Sequence, residues 1–190
     1  KSGHIPYFQD SMYPEMRLDD GDYYLKAMNC PHHHLIYSHK SRSYRDLPLR
    51  ISEYGTCYRN ELSGVLSGLL RVRMLSMNDA HIYCAKEQIE QEFENVIRMV
   101  VNYYKIFGLG DYHFRFSLWD QNNKDKFIDE PHNWEFSQDI LRKALQKNKV
   151  KFVEAVGEAA FYGPKVDIQF KTVTGREETM STIQLDFAAK

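Results

Sequence analysis

Between Ile89 and Tyr104 the apolar residues Ile89, Phe93, Val96, Ile97, Val100, Val101 and Tyr104 recur every three or four positions, the spacing that gathers them on one face of a helix. Gly108 supplies its stop. A second helix is expected around Asn133–Asn148 and a shorter one near Pro31–Lys40. The remaining apolar and β-branched runs are short and read as strands: Tyr23–Lys26, Leu49–Tyr54, Gly55–Asn60, Leu70–Leu75, Asp79–Cys84, Tyr112–Leu118, Lys165–Phe170 and Glu178–Phe187. Two Ser-Gly pairs inside Glu61–Gly68 make that stretch a turn. Its flanks, Tyr58–Glu61 and Arg71–Ser76, are therefore expected to be antiparallel neighbours. A polar loop at Asp120–Lys126 and a Thr174-Gly175 turn complete the reading. Hairpin-spaced strands with helices between them predict an α+β fold, a mainly antiparallel β-sheet flanked by helices.

Composition narrows the class without naming a function. The 190 residues are 43% hydrophobic and 27% charged with a net charge of −1, which fits a globular domain and gives no global basic field. A nucleic-acid partner would have to rely on a local patch, for which Lys40, Arg42, Arg45 and Arg50 around Tyr44 are candidates, as is an ordinary solvated surface. Three cysteines without a CxxC pair (Cys30, Cys57 and Cys84) argue against a disulfide framework and for a reducing, cytoplasmic setting. No apolar run approaches the roughly 20 residues that span a bilayer. The first ten residues are neither a signal nor a transit peptide, and both termini read as cut from a longer chain. There is no GxGxxG or GxxxxGK[ST] motif, so a nucleotide would have to bind without either of those phosphate cradles.

The chemistry concentrates between Tyr58 and His81. Arg59 and Glu61 stand two apart, which on a strand puts both on one face; Arg71, Arg73 and Asp79 follow the turn. Guanidinium forks grip phosphate and a carboxylate accepts from an adenine amino group. The same residues also build a cross-strand ladder of ion pairs, and spacing alone leaves both readings open.

Tyr58-Arg59-Asn60-Glu61, the turn, Arg71-Val72-Arg73 and Asn78-Asp79-Ala80-His81 resemble the second motif of class II aminoacyl-tRNA synthetases. With Met28-Asn29-Cys30-Pro31, Ser43–Arg50, Gly157–Lys165 and Gln184–Phe187, in order along nearly the whole chain, the pattern is similar to the threonyl-tRNA synthetases and to little else in the class. The resemblance implies the class II catalytic fold, ATP with Mg²⁺, threonine, tRNA(Thr), a zinc ion and a homodimer of the full-length protein. Residues 1–190 would be part of the catalytic domain, without the first and third class motifs and without editing or anticodon-binding domains. An inactive synthetase-like paralogue or fragment, acting as a binding module, is the alternative. A synthetase for proline or serine fits less well, because those relatives need no substrate zinc.

Position by position, the resemblance assigns Arg59 to the α-phosphate, Glu61 to the adenine amino group and Arg71 to the γ-phosphate. Leu75 stands where an aromatic residue usually stacks under adenine, and Met74 where a glycine is usual. Asp79, Tyr162, Lys165 and Gln184 would contact threonine, and His4 would lie near the terminal ribose of tRNA, where an imidazole suits proton transfer. Cys30 and His81 match two zinc ligands, with a third His expected beyond the chain's end. A zinc with three protein ligands keeps an open position, which threonine's amino and hydroxyl groups would fill. Such a metal rejects valine, which an apolar pocket separates from threonine by only about 10²-fold. The run His32-His33-His34 reads as helix-start packing and polar contacts.

Overall fold

The computed structural model describes residues 9–188, which form two compact units divided between Ala85 and Lys86. His4 lies outside the described residues.

In the first unit a short hairpin, β1 (Met16–Leu18) and β2 (Gly21–Tyr23), precedes helix α1 (Cys30–Ser38). A single turn at Tyr44–Asp46 follows, its Ser43 and Asp46 side chains forming a reciprocal capping box. Then come two ten-residue strands, β3 (Leu49–Tyr58) and β4 (Met74–Tyr83), paired antiparallel from Leu49↔Tyr83 to Tyr58↔Met74. Leu49–Tyr54 and Gly55–Tyr58 are thus one long strand, and Asp79–Tyr83 belongs to another that takes only Met74 and Leu75 from the expected Leu70–Leu75 run. Of the Tyr23–Lys26 run only Tyr23 lies in a strand, as the last residue of β2, and Tyr24–Lys26 has left it. The hairpin's inner face carries Ile51, Glu53, Gly55 and Cys57 opposite His81, Asp79, Met77 and Leu75. Its outer face is open to solvent, with Tyr54 86% exposed.

The second unit starts with α2 (Ile89–Ile106), whose apolar stripe behaves as the 3.6-residue period requires. Phe93, Ile97 and Tyr104 are buried against β5 (Tyr112–Leu118) and α3 (Pro131–Lys147). Three further strands follow: β6 (Phe152–Val156), β7 (Lys165–Lys171) and β8 (Glu177–Gln184). The sheet order is β6-β5-β7-β8, antiparallel except for the parallel β5–β6 pair that α3 connects. Strand β6, like β1, is absent from the strands the sequence predicts. It is a five-residue edge strand with no alternation of burial, and both Val153 and Val156 are exposed.

One face of this sheet holds the core, with Phe114, Phe116, Leu118, Val166 and Ile168 packed against Leu141, Ala144 and Leu145. Tyr104 reaches the same layer and donates its hydroxyl to Ser181 Oγ at 2.5 Å, while burial raises its phenol pKa. A second cluster forms beyond the end of β5, where Trp119 and Trp134 stack with centroids 5.4 Å apart and Phe127 and Phe187 meet Trp134 edge-on. The buried Trp134 indole N–H donates to the Ile128 carbonyl at 2.9 Å, so the ring is buried without a lost hydrogen bond.

The segment Tyr162–Pro164 runs against Leu185–Phe187, with N–H bonds from Leu185 to Pro164 and from Phe187 to Tyr162. Gly163 is what allows that approach, since a Cβ there would collide with the Leu185 carbonyl. Gly163→Ala is expected to destabilise the second unit by about 1–3 kcal/mol, the usual cost of overpacking. Urea unfolding followed by the near-ultraviolet signal of the stacked tryptophans reads this out. Gly64→Ala, with open space at its Cβ, should leave that transition within about 0.5 kcal/mol. Equal midpoints for the two variants would refute the close-approach argument.

Candidate functional site

In the first unit the site residues gather where α1 covers the inner face of β3–β4. The close approach depends on Gly55, because a Cβ there would overlap the Asn29 side chain. Asn29, 1% exposed, spends its amide on the sheet: Nδ2 donates to Asp79 Oδ2 at 3.0 Å, and Oδ1 accepts from the Cys57 thiol at 3.5 Å. Although Asn29 is the N-cap residue of α1, its side chain makes no capping bond, since both of its polar atoms are already committed. Cys57 is fully buried, and its pKa is raised chiefly by that burial. Asp79 and His81 stand two apart on β4 and so share a face.

One turn into α1, His33 bridges the two strands. Its Nε2 lies 3.0 Å from Glu53 Oε1 and its Nδ1 lies 2.6 Å from His81 Nδ1. His34 reaches Tyr83 at 2.8 Å, and Tyr37 stacks on Tyr83 with centroids 4.0 Å apart. His33 and His34 therefore pack and make polar contacts, and they do so against the strand that carries Asp79 and His81, whereas His32 is exposed.

Cys30 opens α1 beside Asn29, half-buried like His81. A thiol and an imidazole are the donor types zinc prefers, and two side-chain contacts, Asn29–Asp79 and His33–His81, hold the start of α1 against β4. The donor chemistry thus fits part of a zinc site. Among the described residues no three His, Cys, Asp or Glu side chains converge into a set that could hold a metal.

The phosphate-binding candidates lie at the far end of the hairpin. The ladder closes at Tyr58↔Met74, with one further bond from the Arg59 N–H to the Arg73 carbonyl at 2.8 Å. Beyond it the backbone leaves the ladder: the Asn60 N–H bonds to the Ser11 carbonyl and the Glu61 N–H turns back to the Arg59 carbonyl. Arg59–Glu61 is therefore not a strand, and the two-residue same-face rule does not apply to it. Glu61 and Arg71 meet all the same, in an ion pair at 2.8 Å, and the Arg73 Nε donates to the Glu61 carbonyl at 2.9 Å. The Arg59 guanidinium lies inward, its Nε 3.4 Å from the Ala27 carbonyl. Leu75 is on the inner face of β4 opposite Cys57, whereas Met74 is exposed on the outer face.

In the second unit the polar face of the sheet, opposite the core, carries the remaining candidates. Lys165 pairs with Gln184 in register, and Tyr162 donates its hydroxyl to Gln184 Oε1 at 2.5 Å. Lys165 Nζ lies 2.9 Å from Asp167 Oδ2. Asp167, only 2% exposed, also receives Arg115 at 3.1 Å and the Thr182 hydroxyl at 2.8 Å. Sequence reasoning did not single out Asp167 or Arg115; the signal was a carboxylate on the polar side of an alternating strand whose polar positions are otherwise Lys165, Gln169 and Lys171. A buried carboxylate with three donors fixes the Lys165 side chain along the strand, and with it the direction from which this face offers positive charge.

Among the described residues no helix is long and apolar enough to cross a membrane. Residues 14–189 match the family model of the tRNA synthetase class II core domain (G, H, P, S and T). A threonine–tRNA ligase from Geobacillus sp. (strain WCH70) is 49% identical over 186 residues, and one from Staphylococcus aureus (strain JH9) is 48% identical over 187. Each alignment covers 98% of this chain and 29% of the relative, so the chain spans about a third of the length of these curated relatives. Among solved structures, the RNA binding domain of threonyl-tRNA synthetase from Cryptosporidium parvum Iowa II superposes with a TM-score of 0.88 at 34% identity, covering 99% of this chain and 46% of that one. By sequence and by fold, this chain belongs to the class II core-domain family of tRNA synthetases.

Proposed function

We propose that this chain is the central part of the catalytic domain of a threonine–tRNA ligase, which activates threonine with ATP and transfers it to tRNA(Thr). The observation that carries the reading is identity near 48% with threonine–tRNA ligases across essentially the whole chain. The charged and polar side chains described above are of the kind the reaction requires. Homodimerisation and a cytoplasmic location of the full-length protein belong to the same proposal, as does the absence of editing and anticodon-binding domains from residues 1–190.

In the first step threonine's carboxylate attacks the α-phosphorus of ATP, and pyrophosphate leaves. Arg59 places its guanidinium on the α-phosphate, where charge builds in the transition state. Glu61 accepts from the adenine amino group through the oxygen that Arg71 leaves available, and Arg71 extends toward the γ-phosphate. Mg²⁺ accompanies ATP as part of the substrate. Leu75 offers apolar contact beneath adenine. Asp79 holds threonine's amino group or hydroxyl, its carboxylate aimed by the Asn29 amide. Tyr162, Lys165 and Gln184 contact threonine, the Tyr162 hydroxyl being bonded to Gln184 Oε1 and Lys165 standing opposite Gln184 in register. In the second step the terminal ribose of tRNA attacks the activated carbonyl, with His4 as the group that accepts the proton.

Cys30 and His81 would hold a zinc ion together with a His outside this chain, and that ion, when bound, would select a substrate bearing both an amino group and a hydroxyl. Serine shares these groups and differs by one methyl, worth roughly 1–3 kcal/mol.

Two measurements on the full-length protein test the proposal. Arg59→Ala should lower threonine-dependent ATP–pyrophosphate exchange by about 10²-fold or more, the scale of a lost charge-stabilising contact; a folded variant exchanging at the wild-type rate refutes the role given to Arg59. Metal analysis should find one zinc per catalytic domain in the wild type and a loss of it in Cys30→Ser. A zinc-free wild type would leave the class II assignment standing and remove threonine selection by metal.

A further inference from the structure

Asp167, in the middle of β7, stands opposite Arg115 of β5 on one side and Thr182 of β8 on the other. Its two oxygens divide the partners. Oδ1 accepts from the Thr182 hydroxyl at 2.8 Å, while Oδ2 takes two cations, Arg115 Nη2 at 3.1 Å and Lys165 Nζ at 2.9 Å. One buried negative charge thus meets two positive ones. Glu158 reaches Arg115 Nη1 at 3.4 Å, but its side chain is 52% exposed, so water screens that pair and it offsets little of the excess. The Arg115 Nε is buried and meets no acceptor among the described residues, which leaves the two carboxylates to set the place of the guanidinium.

The second cation changes what Lys165 can do. Were Lys165 the sole cation on Asp167, turning its charge to a ligand would strand a buried carboxylate, which is strongly unfavourable. With Arg115 fixed on the same oxygen, Lys165 can serve a ligand while Asp167 stays compensated. We propose that Arg115 is a positioning residue that carries the charge of Asp167, so that Asp167 aims Lys165 and leaves its positive charge to the carboxylate of threonine. An ammonium has three N–H groups, and one bond to Oδ2 leaves others to point outward. The inference rests on the contact between Lys165 and threonine proposed above and adds Arg115 and Asp167 to it. Neither of these two touches the substrate in this account, and Arg115 acts only through Asp167.

The test measures threonine-dependent ATP–pyrophosphate exchange by the full-length protein, with KM for threonine, KM for ATP, kcat and the melting temperature read separately. Arg115→Gln keeps donors for Asp167 but removes the charge, and should raise the threonine KM by about tenfold. The ATP KM and kcat should stay within about twofold, as for a contact made equally before and during the reaction. Asp167→Asn should raise the threonine KM by about threefold or more, because Lys165 loses its aim. In the Asp167→Asn background, Arg115→Gln should change that KM by no more than about twofold, since the group it acts through is gone. A purely structural role would lower the melting temperature and leave the threonine KM of the folded variants at the wild-type value. Should Arg115→Gln fail to fold, the double variant, which has one buried charge fewer on each side, is compared with Asp167→Asn alone. A wild-type threonine KM in Arg115→Gln or in Asp167→Asn overturns the inference, as does an undiminished effect of Arg115→Gln in the Asp167→Asn background. A wild-type protein without threonine-dependent exchange overturns the proposed function and this inference with it.

Discussion

A two-stranded hairpin is marginal by itself, and the inner face of β3–β4 carries the partly buried Glu53, Asp79 and His81 along with its apolar residues. Leaving one such polar group buried without a partner costs about 1–3 kcal/mol, so the cover has to supply hydrogen bonds as well as surface. Helix α1 does this through Asn29 and His33, one turn apart, whose side chains satisfy one residue on β3 and one on β4 each. The missing side chain at Gly55 lets the cover sit low enough to reach. Everything assigned to the amino-acid and metal part of the first unit hangs from that contact.

The second unit solves a related problem with a wider sheet. Strand β7 is buried on both faces: Val166 and Ile168 point into the core, while Asp167 and Gln169 point into the polar layer. A buried carboxylate there is tolerable because Arg115, Lys165 and Thr182 surround it. The same three contacts hold the row that leads through Lys165 to Gln184 and Tyr162. The apolar face supplies stability, and the polar face supplies a row of groups whose directions are already set.

Much of this was legible in the sequence where a period was long or an element was buried on one side. The Ile89–Tyr104 stripe and the Tyr112–Leu118 strand reappear in the structure with almost unchanged bounds. Short edge elements carried no such signal, which is why β6 escaped notice. Arg59–Glu61 misled for another reason: its residue types favour extended backbone, but the N–H of Asn60 is claimed by Ser11, a partner 49 positions away that no local pattern reveals. The link between His33 and His81 was illegible on the same grounds, since they meet only after α1 folds onto β4. The resemblance to synthetases identified Cys30 and His81 as residues of interest, yet gave no hint of what orients them.

The commitments of Asn29 bear on how this protein ages. Asparagine amides hydrolyse slowly to carboxylates, and at most surface positions the exchange of one oxygen for one nitrogen passes without consequence. At Asn29 it would replace the donor to Asp79 with a second acceptor some 3.0 Å away. Two carboxylates so placed cannot both stay ionised, so one of them would have to keep a proton. Asp79 would then lose either its charge or its alignment, in a molecule that differs from the fresh one by a single mass unit.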